Sequence, residues 1–415
     1  MKLRYFTPSL LFLALHLGAQ QAEPPTRQEA ERAEQDKKAA DLKPVEPDKV
    51  EKTYLRVMGN PAVKGFMGPT TGWTINFGNL YPGSGMALGP TYTKKGLLKE
   101  NLDLTFSASG SVKLYYNFMV KAAFDHLAED RGFFDVIVQR NDAPQVDYYG
   151  PGNDSAKEGR TNYRYENVSA EARAGFRPWR RILETGVMTG WSRNNVGPGQ
   201  SDNTPSTETV YGPLMAPGIN VQTPYVYIGP FLSVDTRDYV GDPHKGTYAV
   251  GAYSYHKGLD WNYFSYRRLR VGVDHYIPFL NEKRVIALRS AGVFSYLEKG
   301  HTIPIYEQLT IGGPDDVRGL PRFRYYGTNA FVTNLEYRWE VAPALALAFF
   351  ADAGRVSNKP GDLAISGMHG SAGVGLRFKS RNALAMRIDV GFSPQGVQFW
   401  WTFSDLFRRF SPSPF

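Results

Sequence analysis

The chain has 415 residues, a formal net charge of +8, no cysteine and a mean hydropathy of −0.38. The lack of cysteine excludes disulfides, thiolate metal sites and a lipid-modified N-terminal cysteine. No apolar run is long enough for a transmembrane helix, although the chain carries 25 Tyr, 25 Phe and 7 Trp. Because the charge excess is small for this length, we expect no nucleic-acid partner.

The N-terminus has the pattern of a secretory signal peptide. Two basic residues precede an apolar segment over 10–17, and small residues follow it. This segment is too short to span a bilayer as a helix. We therefore predict a signal peptide over residues 1–19, with cleavage after Ala19 or Ala22, and export of the remaining chain.

Two segments precede the repetitive part of the chain. Residues 20–52 mix acids and bases and contain few large aliphatic side chains. They cannot bury a core, so we predict a disordered, charged periplasmic segment. Residues 53–70 are more apolar and are expected to form a linker or a plug-like segment. The remainder, residues 71–415, is predicted to be one β-domain.

Short runs of alternating apolar and polar residues fill this β-domain. Over 384–392, large apolar residues occupy one face, while Arg387 and Asp389 lie on the other. Alternation with period two requires strands. A soluble β-sandwich would alternate in the same way, but its dry core would exclude the charged face. Aromatic residues at strand ends are typical of membrane interfaces, so the pattern favours a barrel in lipid with a polar interior.

About sixteen such runs occur, an even number as in bacterial outer-membrane barrels. They lie at 72–78, 85–93, 101–110, 113–124, 133–140, 162–176, 182–193, 223–236, 246–256, 262–276, 283–297, 330–341, 344–353, 371–379, 382–392 and 396–404. Three connections are long and rich in Gly, Asn, Pro and Ser, and are predicted to be extracellular loops: 141–161, 194–222 and 298–329.

The third long connection contains the most informative residues of the chain. Gly312 and Gly313 supply the backbone angles of a tight turn, and Arg318 follows them. Glu336 and Asp352 lie inside the next two apolar strands, where an unpaired charge is costly. A guanidinium folded back between these strands would satisfy both carboxylates. The alternative interpretation is an ordinary glycine-rich surface loop.

The tetrapeptide Val317, Arg318, Gly319, Leu320 resembles the signature loop of the BamA/TamA-type outer-membrane barrels, the bacterial surface antigen superfamily. In that family a Val-Arg-Gly-aromatic motif folds into the lumen, and acidic residues on two following strands hold its arginine. Leu320 stands here in place of the aromatic residue. The resemblance implies an all-β fold, a 16-stranded antiparallel transmembrane β-barrel with a long loop folded into the lumen, and the same carboxylate anchors.

The last strand also resembles that family. Gly396, Phe399 and Trp401 are similar to the aromatic insertion signal read by the outer-membrane assembly machinery. A barrel in lipid cannot leave an edge unpaired, so the first and last strands should pair. Glycine and proline shorten both strands, which predicts a weak seam that can open sideways. We expect six residues at this seam: Trp73, Ile75, Phe77, Gly396, Phe399 and Trp401.

The resemblance implies a function in the outer membrane of a Gram-negative-type bacterium. The expected task is insertion or translocation of proteins during outer-membrane assembly or transport, with a separate periplasmic protein partner. Family members with this task usually carry periplasmic POTRA domains, for which residues 20–70 leave no room. The alternative is a passive pore or a structural barrel. Outer-membrane lipids and lipopolysaccharide are further expected partners.

No enzymatic site is predicted. The chain contains no Gly-x-Ser-x-Gly elbow and no phosphate-binding loop, and its histidines lack the spacing of metal ligands. We therefore expect no catalytic residue, no metal and no cofactor. The one alternative is a serine–histidine pair assembled across two strands, for example Ser254 with His275.

Several arginines are predicted to face the lumen. Arg338, Arg377 and Arg387 could line an anion path. The favoured interpretation is an internal network of ion pairs with Glu340 and Asp389.

Overall fold

The computed structural model describes residues 71–78, 80, 84–179, 182–201, 203–280, 282–342, 344–363, 366–380 and 383–403. The predicted signal peptide, the charged segment and the linker lie outside these residues, so the structure does not test them.

Sixteen strands form one antiparallel sheet in which each strand pairs with its neighbour in the chain, apart from two short strands set in the third long loop. The predicted fold class is confirmed. The strands are β1 (Gly72–Gly78), β2 (Ala87–Gly96), β3 (Leu102–Ser111), β4 (Tyr116–Leu127), β5 (Gly132–Tyr148), β6 (Thr161–Phe176), β7 (Leu183–Pro198), β8 (Tyr225–Asp235), β9 (Gly246–Gly258), β10 (Tyr266–Phe279), β11 (Arg284–Tyr296), β12 (Leu309–Ile311), β13 (Tyr325–Gly327), β14 (Asn329–Ala342), β15 (Leu345–Ser357), β16 (His369–Ser380), β17 (Ala383–Ser393) and β18 (Gly396–Thr402).

The helical segments are short and lie in connections. They are α1 (Leu97–Glu100), α2 (Thr207–Val210) and the 3-10 turns Lys157–Gly159, Asn262–Phe264, Ile305–Glu307 and Pro360–Asp362. Among the described residues, no helix is long and apolar enough to cross a membrane.

The two faces of the sheet have opposite character. In β10, Val271, Val273 and Ile277 are exposed on the outer face, whereas Arg268 and Asp274 are buried on the inner face. This is the reverse of a soluble protein and matches a sheet that presents apolar side chains to lipid and encloses polar ones. The alternation predicted from the sequence therefore has the predicted orientation.

The first long connection is shorter than the sequence suggested. The prediction placed a loop over 141–161, but β5 continues to Tyr148 and leaves only 149–160 outside the strands. Pro144 cannot donate to a ladder, which made this stretch resemble a loop. The β5–β6 register shifts between Ala143 and Val146, and this irregularity accommodates the proline within the strand.

Tyrosines fill the interior at the end of the sheet that carries the long loops. Tyr148 of β5, Tyr163 of β6 and Tyr225 of β8 are all at most 3% exposed. Tyr326 of the third loop packs edge-on against Tyr148, with ring centroids 4.8 Å apart, and its hydroxyl donates to the Asp147 carbonyl at 2.8 Å. Loop and strand residues therefore share one buried core at this end.

Candidate functional site

Arg318 lies at the centre of a buried ion cluster. Its side chain is fully buried, and its Nε and Nη2 donate to the two oxygens of Asp352 at 2.9 and 2.8 Å. Nη1 donates to Glu336 Oε2 at 2.5 Å. The guanidinium also stacks over the Phe350 ring, 3.5 Å from its centroid. Arg318 thus contacts both carboxylates predicted to hold it, one on β14 and one on β15.

Further arginines extend this cluster to β16 and β17. Arg377 Nη2 donates to Glu336 at 2.6 Å, and its Nη1 lies 2.8 Å from Asp389. Arg387 donates to Asp389 at 3.2 Å and also to the loop carbonyl of Pro314 at 2.6 Å. Charged groups buried from water therefore hold the third long loop to β14, β15 and β17, and Arg377 of β16 joins the same cluster.

Glu340 enters the predicted ion-pair network through Lys379. The sequence paired the lumen arginines with Glu340 and Asp389. Arg377 and Arg387 do contact Asp389, but Arg338 Nε donates to Glu336 at 2.9 Å. Glu340 instead lies 3.3 Å from Lys379. Inward-facing residues two apart on β14 are adjacent, so Arg338 reaches the deeper carboxylate of Glu336 as easily as that of Glu340.

Glycine lets the loop backbone approach β16 and β17 closely. A Cβ added to Gly319 would lie 2.4 Å from Ser371 Cβ and 2.8 Å from the Phe392 carbonyl oxygen. A Cβ on Gly391 would lie 2.5 Å from the Arg318 carbonyl oxygen. A glycine is therefore required at position 319, because a side chain there would clash with β16 and β17.

The backbone at this contact is also hydrogen-bonded. Trp400 Nε1 on β18 donates to the Arg318 carbonyl at 2.6 Å, and Ser393 Oγ donates to the Gly319 carbonyl at 2.6 Å. Trp400 is 6% exposed and points inward, between its outward-facing neighbours Phe399 and Trp401. The last strand thus contributes a loop anchor that the sequence analysis missed.

Apolar residues complete the tip of the loop. Val317 and Leu320 are 0% and 1% exposed and pack with Ile311 and with Val356 of β15. Leu320, which replaces the aromatic residue of the related motif, is therefore a core side chain. Gly312, with φ of 111°, begins the turn that precedes this tip.

A buried carboxyl group shapes that turn. Asp316 Oδ1 accepts hydrogen bonds from the backbone N–H groups of Gly312, at 2.9 Å, and of Val317. Burial raises the pKa of Asp316 to about 7, and these two hydrogen bonds and Arg289 lower it only in part. The turn therefore contains an acid that titrates near neutral pH.

Glu307 provides a second anchor for the same loop, and the sequence analysis did not identify it. Its side chain accepts from Tyr266 OH at 2.7 Å and from Asn194 Nδ2 at 3.2 Å, and Arg268 Nη2 donates to its carbonyl at 2.8 Å. These partners lie on β10 and β7, far along the chain from Arg318. A carboxylate directly after the apolar residues Ile305 and Tyr306 was the available signal.

The structure separates Ser254 from His275. Ser254 pairs with Arg268 in the β9–β10 register, whereas His275 pairs with Thr247, and the two residues lie on opposite faces of the sheet. Ser254 Oγ instead bonds His256 Nε2 at 2.9 Å, and both residues are at most 2% exposed. The example of a serine–histidine pair was therefore wrong, because two residues on opposite faces of a strand pair cannot meet.

The predicted seam residues lie on the two terminal strands of the sheet. Trp73 and Ile75 of β1 are 74% and 52% exposed, and Phe399 and Trp401 of β18 are 65% and 48% exposed. Phe77 is in β1 and Gly396 begins β18. The side chain of Phe77 is outside the described set.

The two strands approach each other where β1 ends. A Cβ on Gly78 would lie 3.9 Å from Phe403 Cβ. The predicted pairing of the first and last strands is not found: within the described part of the chain, no backbone ladder joins β1 to β18.

Comparison with known proteins agrees with this fold. BamA from Haemophilus ducreyi lacking POTRA domains 1–3 superposes with a TM-score of 0.58 at 16% identity, covering 81% of this chain and 70% of that one. CdiB from Escherichia coli superposes with a TM-score of 0.55 at 14% identity, covering 80% of this chain and 62% of that one. These identities show a shared fold alone. No curated protein matches the sequence significantly. Residues 71–400 match the model of the Omp85 superfamily domain, and the chain therefore belongs to the Omp85 superfamily.

Proposed function

We propose that this protein is an outer-membrane barrel that inserts or translocates client proteins by opening sideways between β1 and β18, together with a separate periplasmic partner. The observation that carries the proposal is the shortness of these two strands. Each has seven residues, whereas the other strands of the 16-stranded sheet have 10 to 17.

Strand length controls how readily a seam opens. Backbone groups exposed to hydrocarbon cost several kcal/mol each when unpaired, so long ladders in lipid do not separate. β1 and β18 have seven residues each and share no backbone ladder among the described residues, so little pairing has to be broken and a client strand can pair with their edges. The exposed aromatic side chains of Trp73, Phe399 and Trp401 lie on both of these edges.

The packed interior supports the same proposal. The loop tip around Arg318 is buried against β14 to β18, and a tyrosine core joins the loops to β5, β6 and β8. A passive pore gains nothing from a lumen packed with loop side chains. A protein that exchanges material with the bilayer through its wall requires a closed lumen to preserve the membrane barrier.

One longer connection at the opposite end of the sheet supports a periplasmic partner. It spans 236–245 and is held by Asp242, whose carboxylate lies 2.7 Å from Lys379 Nζ on β16. Tyr239 and Val240 are 51% and 65% exposed in this connection. A fixed loop that presents apolar side chains is a suitable contact for another protein.

The test is a disulfide across the seam. The pair Gly78→Cys and Phe403→Cys matches the Cβ separation of a disulfide, about 3.5–4.5 Å, in a chain that has no other cysteine. Cells whose only copy carries the oxidised pair should lose outer-membrane β-barrel proteins and regain them when reductant is added. The control pair Ala249→Cys and Val273→Cys joins β9 to β10, which do not separate, and should have no effect.

Unchanged protein levels with a fully formed seam disulfide would show that lateral opening is wrong. The alternative function, a passive pore, is tested directly by measuring the single-channel conductance of the purified protein. A large and stable open conductance would favour the passive pore, whereas a closed barrel with rare openings supports the proposal.

A further inference from the structure

A groove lies on the outward face of β1 to β6, where the sheet meets lipid. Its volume is about 410 Å³. The small side chains of Pro90 and Ala108 line it together with Phe106, Phe118 and Val138, which have 45%, 52% and 45% of their surfaces exposed. A concave and almost wholly apolar surface of this kind fits an acyl chain.

Two arginines lie beside this groove in one row across the sheet. Arg140 on β5 lines the groove, pairs with Val168 on β6, and Val168 pairs with Arg193 on β7. Both arginines are exposed. The Cα atoms of Arg140 and Arg193 are therefore roughly 10 Å apart, twice the spacing of neighbouring strands. No ion-pair partner is found for either among the residues that the structure describes.

The carboxylates nearby are already bound by other groups. Arg164 Nη2 donates to Asp142 at 2.5 Å and to Glu166 at 3.1 Å, and Asn195 Nδ2 donates to Glu166 at 2.7 Å. Arg140 adds to the positive field around Asp142. This surface therefore carries three arginines and two carboxylates. The row formed by Arg140, Val168 and Arg193 keeps a net positive charge.

The height of this row decides which leaflet it meets. Directly below it on the outer face, the paired residues Val138, Ala170 and Trp191 form the upper edge of the apolar belt. The row lies toward the long loops, which are extracellular in barrels of this kind. Arg140 and Arg193 are therefore at the level of the headgroups of the outer leaflet.

We propose that this surface is a binding site for a phosphorylated glycolipid of the outer leaflet. The phosphate binds between Arg140 and Arg193, and one acyl chain of the same molecule occupies the groove between Phe106 and Phe118. Arginine donates paired hydrogen bonds to phosphate. The inference rests on the proposed outer-membrane location but not on lateral opening, so each can fail without the other.

The test is native mass spectrometry of the full-length protein in detergent, with diphosphorylated lipid A as the probe. We expect a bound lipid A whose affinity falls about fivefold for each of Arg140→Gln and Arg193→Gln, the contribution of one base near an anionic surface. Ala108→Trp, which fills the groove, should also weaken binding. The matched control is Lys257→Gln, an exposed base on the outward face of β9 away from the groove.

Heat-modifiable migration on gels shows that each variant still folds as a barrel. The proposal is overturned if dephosphorylated lipid A binds as tightly as the phosphorylated form, or if the two arginine variants bind it like the wild type. Equal retention of phosphatidylglycerol would also overturn it, because the site would then recognise any anionic lipid. Displacement of lipid A by millimolar inorganic phosphate alone would show a simple phosphate site and reject the acyl-chain contact.

Discussion

At the scale of single residues, Arg318 determines whether the loop stays inside the barrel. All three of its guanidinium nitrogens donate to Asp352 or Glu336, and its side chain has no exposed surface. Buried ion pairs add little net stability, but removing one partner leaves the other charge buried and unpaired. The cluster therefore specifies one position for the loop more than it stabilises the sheet.

We expect Arg318→Ala to destabilise the docked loop by about 3–5 kcal/mol. The measurement is cleavage within 297–328 by protease added to intact cells, which should occur in the variant and not in the wild type. Arg267→Ala, at an exposed ion pair with Glu298, is the matched control and should stay resistant. The combined variant Arg318→Met with Asp352→Asn should recover part of the loss, because it removes the stranded charge. A resistant loop in Arg318→Ala would contradict the anchoring role.

Gly319→Ala tests the close approach of the loop backbone. The new Cβ would meet Ser371 at 2.4 Å, and such overpacking costs about 1–3 kcal/mol. We expect partial protease sensitivity of the loop with the barrel itself still folded. Gly212→Ala serves as the control, since an added Cβ there meets nothing within 4 Å. Equal behaviour of the two variants would show that the loop can move aside freely.

At the scale of elements, the third long loop behaves as an internal plug with separate anchors. Arg318 fixes it to β14 and β15, and Glu307 fixes it to β7 and β10. Arg324 fixes it to the first long loop, where its Nη1 donates to Ser155 Oγ at 3.0 Å. Each anchor is a polar group satisfied by residues distant in the chain. The loop therefore closes the interior by joining strands that are not neighbours in the sheet.

The pH dependence of this plug follows from Asp316. Its pKa is about 7 in the docked loop and near 3.8 when released, so the docked form binds more protons between these values. Docking should therefore weaken as pH rises from 4 through 7 and change little above it. Proteolysis of the loop should be faster at pH 8.5 than at pH 5.5. Asp316→Asn keeps the acceptor but cannot ionise, so a matching pH response in that variant would refute the assignment.

At the scale of the whole molecule, the barrel combines a packed lumen with two short terminal strands. The interior is blocked by loop residues, while the outer face carries exposed apolar side chains along its strands. The described residues of β1 and β18 share no backbone ladder, so this seam is the place where the least pairing has to be broken. The architecture is therefore suited to movement through the wall, and the seam disulfide tests that movement.

Replacing the loop tip should open a pore. If residues 312–323 are exchanged for a flexible linker of equal length, the lumen loses the side chains around Arg318, and single-channel conductance should rise from near zero to a stable open level. The same exchange of Pro360–Asp362, a 3-10 turn between β15 and β16, is the control and should leave conductance low. A wild type that already conducts fully would show that the loop does not close the lumen.

The sequence alone determined the strands, their number and the faces they present. Alternation with period two is a local property of the sequence, so it can be recognised without knowing the tertiary structure. The predicted strand at 72–78 matches β1. The contact of Arg318 with Glu336 and Asp352 was also accessible, because a charge inside an apolar strand requires a partner. Where local signals conflicted, as at Pro144 in β5, the prediction was a loop and the structure has a strand.

Only the tertiary structure decided which distant residues meet. Glu307 contacts Asn194 across 113 positions of sequence, and Trp400 reaches Arg318 across 82. The curvature of the sheet brings these residues together, and no local pattern encodes curvature. The same reason explains the row of Arg140 and Arg193, which exists because the strand registers align two side chains on either side of β6. The spacing of residues along a strand specifies which face of the sheet each side chain occupies. The strand registers and the curvature of the sheet specify which residues become neighbours.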